Sequence, residues 1–416
     1  MSAPSFPAAA TPTGRAASPK ASATPSSNTC TFNTPTSAAS TSSRRRGDMR
    51  IEQIRTFAFP VPFKVVFRHA SATRSRAENV IVAARGEGRT GYGEGCPRDY
   101  VTGETTPGAR DFIEAHAEAI MAQVNDVQSL RTWIASHREV IDRNPAAFCA
   151  VETAIIDLFG RLAGQSAEQL LGLPRLAGAF TYSAVLGDAP HLAYLWQLSR
   201  YRQRGFTDFK VKLCGHPGRD RRKLAALAGI DVRVRLDANN LWTTADECIR
   251  HLSALPGIPF AVEEPLAAGD LEGFRAVGEA CGMRIVLDES LLRAEQVDAL
   301  EDPARWIVNL RVSKMGGILR SLELAARAAR RGLGVVVGCQ VGETSILTRA
   351  ALPVMQAIRP NLVAAEGAFG TYLLSRDLTT PSLMFDTGGI LSPAAVPTGN
   401  GFGLSIRTTD LEEKSP

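Results

Sequence analysis

The chain reads as an α/β protein: a (β/α)-barrel joined to an α+β capping domain built from the N-terminal part and the C-terminal tail. Three observations predict this. Short β-branched runs alternate with helical segments over residues 181–370, the pattern of βαβ units around a buried parallel sheet. From Lys210 to Lys314 these runs end on charged residues, the acids about 25 residues apart, a spacing of one strand, one helix and two loops. Residues 51–95, by contrast, are strand-rich without that alternation, which sets them apart from the barrel.

Residues 1–48 are dominated by Ala, Ser, Thr and Pro and hold Arg15, Lys20, Arg44, Arg45 and Arg46 against Asp48, a net +4 of the chain's +5. Such composition predicts disorder. An Arg- and Ser-rich segment almost free of acids also fits a transit peptide; we expect instead a non-native extension, because Met49-Arg50-Ile51 opens the first strand directly. The remainder carries about +1, which excludes a nucleic-acid partner. A capping domain is expected over residues 49–178. IEQIRTFAFPV and VIVAARGEGRTGYGEG read as strands, with Gly88-Arg89-Thr90-Gly91 as a hairpin turn, and residues 109–162 take up the helical period.

The barrel is expected over residues 179–380. TYSAVLG, residues 181–187, is its first strand, followed by FKVKL, VRVRLDAN, PFAVEEP, RIVLDES, WIVNLRVSKMGG, GLGVVVGCQVGE and NLVAAEGAFG. HLAYLWQLSRYRQRG and DRRKLAALAG carry the period of outer helices, the first closed by Gly205. Residues 381–416 read as a return to the capping domain. A solenoid would explain the helical repeats but not the charges at the strand ends. The seven cysteines form no C-x-x-C pair and point to a reducing cytoplasm, with Cys214 and Cys339 as buried thiols near strand ends. No run is long and apolar enough to cross a membrane.

In a (β/α)-barrel the strand C-termini form the active-site mouth, so lysine, acid, acid, acid and lysine would converge there. Lys210 and Lys212 share a face, as do Asp237 and Asn239, because strand side chains alternate. Of Glu263/Glu264 and Asp288/Glu289 only one of each pair can point inward, and parity does not choose. Three carboxylates without Cys or His suit a hard dication, Mg²⁺ or Mn²⁺, rather than zinc. The second and sixth strands of a closed eight-stranded barrel lie opposite each other, so Lys212 and Lys314 would address the two faces of a bound substrate. Lysines buried near a dication have lowered pKa values and can act as bases. The implied reaction removes a proton next to a carboxylate, with the metal stabilising the enediolate.

The K-x-K of Lys210–Lys212, the D-A-N from Asp237, the E-E-P from Glu263, the D-E-S from Asp288 and the K-M-G-G from Lys314 together resemble the enolase superfamily, and within it the muconate lactonizing enzyme subgroup. That subgroup also holds dipeptide epimerases, N-succinylamino acid racemases and o-succinylbenzoate synthases. The likeness spans about residues 50–405. Sites of this superfamily pair a Lys or His base with Mg²⁺. The resemblance implies that Asp237, Glu263 and Asp288 bind the metal, that Lys212 and Lys314 are the acid/base pair, and that Lys210 neighbours the substrate carboxylate, with Asn239 on the same side. It also implies that cap loops at residues 68–74 and 96–104 reach the substrate through His69, Arg74, Arg98 and Tyr100, while Glu343 and Glu366 read the rest of the molecule from strands seven and eight.

Dipeptide epimerases of the subgroup carry Asp-x-Asp on the eighth strand, where this chain has Glu366-Gly367-Ala368-Phe369. Glu366 could still hold an ammonium group, Phe369 favours an apolar or acyl portion, and Glu343 is a candidate partner for one of the lysines. The histidines, at 69, 116, 137, 191, 216 and 251, all precede Lys314, so a histidine base on the seventh strand is not supported. The expected activity is that of a racemase or epimerase on an amino-acid derivative or dipeptide. Cycloisomerisation and acid dehydration or synthesis use the same constellation with one lysine silent. A catalytically idle barrel would predict a broken constellation, and a phosphate-directed aldolase or hydrolase would predict a Gly-rich loop after the seventh strand. The expected partner is a small-molecule carboxylate. Barrels of this kind often form homo-oligomers, though no interface is legible.

Overall fold

The computed structural model of the chain describes residues 49–68, 73–257 and 259–411; the expectations for residues 1–48 and for His69 lie outside them. The cap begins with a three-stranded antiparallel sheet, Gln53–Arg68, Thr73–Gly86 and Arg89–Gly95. Met49 to Ile51 precede the first strand rather than open it. The hairpin turn sits two residues earlier than the sequence indicates: Gly86 pairs with Arg89, and Glu87 and Gly88 both have positive φ, as a two-residue type I′ turn requires. Arg89 and Thr90 are therefore strand residues.

Gly91, Gly93 and Gly95 lie on one side of the third strand, against the helix Pro145–Ala163. A Cβ at any of them would run into helix backbone, at Leu158 and Ala154, at Ala150, and at Ala146 respectively. Alanines four apart on the helix complete the fit, so two backbones touch where side chains would ordinarily separate them. The helix is buried from Pro145 to Gly160, and Glu104 takes the free N–H groups of Ala146 and Ala147 at its start.

Eight parallel strands follow, each hydrogen-bonded to the next in chain order: Ala184–Leu186, Asp208–Lys212, Arg233–Asp237, Ala261–Glu263, Arg284–Leu287, Trp306–Arg311, Gly334–Gly338 and Leu362–Ala365. Ser183 N–H donates to Ala365 O at 2.8 Å, joining the first strand to the eighth and curling the sheet into a barrel. Nearly every strand residue is buried, as expected of a sheet covered on both faces. The helices between strands include His191–Gln203 and Pro217–Ala225; Gly205, at φ 80°, follows the first in the left-handed conformation that ends helices.

Two carboxylates tie cap to barrel. Glu94, from the third cap strand, accepts from Thr344 N–H, Thr344 Oγ1 and Leu347 N–H at the start of the barrel helix Ser345–Ala357. Glu152, from the long cap helix, accepts from Ile318 and Leu319 N–H at the start of Ile318–Arg330. It lies where a Cβ on Gly317 would be, and Gly317 has φ 111°, which accounts for the second glycine of K-M-G-G. Helix N-termini favour such anions. After the eighth strand the tail turns back: Ile390–Leu391 pairs with Phe180–Thr181, and Phe402 N–H donates to Asp157 on the cap helix. The six cysteines among the described residues form no disulfide. No helix among them is long and apolar enough to cross a membrane.

Candidate active site

The second barrel strand ends Phe209-Lys210-Val211-Lys212, and alternation sends both lysines inward. Lys210 Nζ sits among three carboxylates, Asp237 at 3.0 Å, Glu263 at 2.9 Å and Glu366 at 3.2 Å. Burial favours its neutral form, but those three acids outweigh burial and raise its pKa, so it is a fixed cation. Lys212 Nζ donates to Asp237 Oδ2 at 3.1 Å and to Asn239 Oδ1 at 2.9 Å. Asn239 lies beyond the strand end at φ 48°, a left-handed turn that keeps its amide on Lys212.

Asp237 ends the third strand and Glu263 the fourth. Burial raises the Asp237 pKa, yet Lys210 and Lys212 together hold it well below the usual range. Burial likewise raises Glu263, opposed by Lys210. Glu264 turns the other way, at φ 42°, and binds the N–H groups of Asp288 and Ser290. Glu263 is therefore the inward member of its pair.

The fifth strand stops at Leu287, so alternation no longer governs Asp288 and Glu289. Asp288 is fully buried between Arg311, on Oδ2, and Lys314, on Oδ1 at 2.9 Å. Glu289 stays close to the acids: burial first, then Glu264, Glu263 and Asp237, push its pKa up to about 7.

Among the described residues no three His, Cys, Asp or Glu side chains form a ready-made metal cluster. The reason is visible in the cations: Lys210 separates Asp237 from Glu263, while Arg311 and Lys314 hold Asp288. The donor set nonetheless fits a hard dication. Asp237 Oδ1 and Glu263 Oε2 are both buried with no protein partner, and buried carboxylate oxygens left unpaired are costly unless something else satisfies them.

Lys314 lies past the sixth strand, which ends at Arg311, on the single helical turn Val312–Met315. Burial and the neighbouring Arg311 lower its pKa to about 7. All three of its donors are used, on Asp288 O, Asp288 Oδ1 and Asn309 O, and it exposes no surface. The expected placement of Lys314 opposite Lys212 is thus not what the structure shows, because the strand ends three residues too soon.

The expected substrate contacts are placed unevenly. Glu366 is buried, with Arg235 at 2.6 Å and Lys210 on its carboxylate, and these cations overcome burial to bring it down to about 2; it is not an open partner for an ammonium. Burial raises Glu343 to about 8, and its cationic neighbours are Arg311 and Arg98, not a lysine. Phe369 packs edge-on against Phe385. Arg74 and Tyr100 meet each other on the cap, the guanidinium 5.6 Å from the ring centre, and Arg74 pairs with Glu78 and Asp99. Arg98 is a buried strut that binds Asn79 Oδ1 and Val341 O. Cys214 Sγ donates to Asp220.

Sequence reasoning missed Arg235, Asn309 and Arg311. Each sits two residues from a recognised inward residue or from another of the three: Arg235 before Asp237, Arg311 after Asn309. Counting alternation back from Asp237 finds Arg235; counting back from Lys314 misses Asn309 and Arg311, because Lys314 lies past the strand end and out of its parity.

Residues 52–172 match the N-terminal domain of the mandelate racemase / muconate lactonizing enzyme family, and residues 194–410 match the enolase C-terminal domain-like family. The chain is 31% identical over 331 residues to a hydrophobic dipeptide epimerase of Enterococcus faecalis, covering 76% of this chain and 90% of that one. It is 30% identical over 351 residues to an L-Lys-D/L-Arg epimerase of Methylococcus capsulatus, covering 81% and 94%. The crystal structure of a dipeptide epimerase from Enterococcus faecalis V583, complexed with Mg and the dipeptide L-Leu-L-Tyr, aligns with a TM-score of 0.74 at 27% identity, over 86% of this chain and 100% of that one.

Proposed function

The chain belongs to the mandelate racemase / muconate lactonizing enzyme family of the enolase superfamily, and from that premise we propose that it is an isomerase removing the proton α to the carboxylate of an amino-acid derivative or dipeptide, so as to epimerise or racemise it. The epimerases that it resembles over most of their length support the reaction class. The observation that carries the reading is Lys212, held by Asp237 and Asn239 beside two carboxylates that each keep a buried, unpartnered oxygen.

Asp237, Glu263 and Asp288 are the residues that would hold a divalent metal, Mg²⁺ or Mn²⁺, whose charge would stabilise the enediolate formed from the substrate carboxylate. Lys212 takes the α-proton on its nitrogen lone pair. Asp237 and Asn239 aim that nitrogen. Lys210, a fixed cation on the same strand face, supports the negative charge that develops on the substrate carboxyl. Past the end of the eighth strand Glu366 is already paired with Lys210 and Arg235, which favours N-acylated amino acids over dipeptides with a free α-ammonium.

A second reading, cycloisomerisation or elimination of water from one face, is favoured by the sealed position of Lys314. The test is deuterium uptake from D₂O, by mass spectrometry, into a pool of N-acyl amino acids, dipeptides, hydroxyacids and muconates with Mg²⁺. Uptake lost in Lys212→Ala and without Mg²⁺ is expected. Uptake that persists in Lys212→Ala removes this lysine as the base.

A further inference from the structure

We infer that Arg311, and not Lys314, is the sixth-strand side chain that faces the substrate from across the barrel, and that Lys314 is a positioning residue for Asp288. The inference rests on the proposed function and specifies which groups flank the substrate of that same site.

Strand geometry comes first. Asn309 and Arg311 are both on the sixth strand and two residues apart, so they share a face. That face is the interior, because Asn309 Nδ2 donates to Glu263 Oε1 on the fourth strand, which is not a neighbour in the sheet. Gly338, which pairs with Arg311 on the seventh strand, has no side chain where Asn309 and Arg311 lie. Arg311 NH1 donates to Gln340 Oε1 and NH2 to Asp288 Oδ2. Its charge reaches Glu263, Glu343 and Glu366, carboxylates of the fourth, seventh and eighth strand ends.

Exposure separates the candidates. The side chains of Lys212 and Arg311 are each 11% exposed, whereas Lys314 is 0% exposed. With three N–H donors spent on Asp288 and on the Asn309 carbonyl, Lys314 has none left for a ligand, and its contacts fix the Asp288 carboxylate and main chain. The mouth is thus flanked by unlike groups: a lysine on the second strand and a guanidinium on the sixth.

A guanidinium stays protonated and binds a carboxylate through two parallel N–H groups. It serves as an anchor for an anion and cannot take a proton. In the first step the Lys212 nitrogen gains the α-proton and the C–H electron pair passes into the enediolate. That proton returns to the same face or is lost to solvent. Inversion needs a proton delivered on the Arg311 face, where no lysine stands among the described residues, and solvent is the donor there. Exchange on the Lys212 face therefore outruns inversion by about a hundredfold, the contribution of one general acid.

The inference is tested without a substrate by modifying the full chain in Mg²⁺ with formaldehyde and cyanoborohydride for lysine and phenylglyoxal for arginine, and mapping the sites by mass spectrometry with and without oxalate. Lys212 and Arg311 should react and be protected by oxalate, while Lys314 should react only after urea unfolding. Modification of folded Lys314 as fast as Lys212, with oxalate protection, would overturn it. Calorimetry supplies the second measurement. Arg311→Met should lower oxalate affinity about tenfold, and unchanged affinity would count equally against the inference. Lys314→Met should weaken Mg²⁺ binding through Asp288 yet keep oxalate affinity once Mg²⁺ saturates. A wild-type enzyme that exchanges no member of the deuterium pool would sink the proposed function while leaving the labelling result to decide the role of Arg311.

Discussion

The floor of the cap and the mouth of the barrel are held by opposite means. In the cap, Gly91, Gly93 and Gly95 lie against the backbone of Pro145–Ala163, and shape alone fixes the distance. At the mouth, Lys210, Lys212, Arg235 and Arg311 interleave with Asp237, Glu263, Asp288 and Glu366, and charge fixes the distances. The first region should be intolerant of added atoms and indifferent to charge. The second should tolerate changes of size that keep charge and fail when a charge is removed. Close packing and buried ion networks respond to substitution in these two ways.

Lys212→Ala sharpens the contrast most. It should lower α-proton exchange by about 10²- to 10⁴-fold while the chain stays folded, because Asp237 keeps its ion pair with Lys210, as measured by deuterium uptake and calorimetry on the same sample. Unfolding that falls with activity would make the mouth a structural region after all. Gly93→Val is the converse. Its Cβ meets Ala150 O and Ala154 N, so stability should drop by about 3 kcal/mol in urea titrations, with exchange per folded molecule unchanged. Next comes Asp237→Asn, which removes one carboxylate charge between Lys210 and Lys212; Mg²⁺ affinity should fall by roughly tenfold or more. Equal Mg²⁺ affinity would mean that the unpartnered Asp237 Oδ1 is no ligand.

The same contrast explains what the sequence made legible. Alternation of strands and helices announced the barrel, and within the second strand parity put Lys210 and Lys212 on one side, where both reach Asp237. Parity lost its meaning where strands stop. The sixth strand ends at Arg311 and the fifth at Leu287, so Lys314 and the Asp288–Glu289 pair were set by a turn and by their ion partners, which no spacing encodes. Glu366 was readable as an acid at a strand end but not as one already spent, since Arg235 and Lys210 reach it from strands about 130 and 156 residues away in sequence. Arg98 looked like a loop residue and is a buried strut because Asn79 and Val341 close over it. The glycine stripe of the cap was visible as Gly-x-Gly-x-Gly, yet its reason, a helix whose backbone arrives 50 residues later, was not.

Glu152 offers the finest test, because it ties the cap to the barrel and burial is the largest influence on its charge. Burial lifts its pKa from 4.5 to about 7 in spite of the Ile318 and Leu319 N–H groups. The folded chain then keeps this proton to higher pH than the unfolded chain does. Between about pH 4.5 and 7 the folded state binds more protons, so stability falls as pH rises through that window and levels off above it. Glu94, raised to about 7, adds to the same slope. Glu168, lowered by the buried Arg349 pair against burial, has the opposite sign and loses stability as pH falls below the ordinary carboxylate range. Glu152→Gln mimics the protonated acid and should flatten the loss between pH 5 and 8 by on the order of 1–3 kcal/mol, read from urea midpoints at the two pH values. A slope unchanged by the substitution would place the ionised carboxylate at the helix start throughout, with the two N–H groups and the helix dipole outweighing burial.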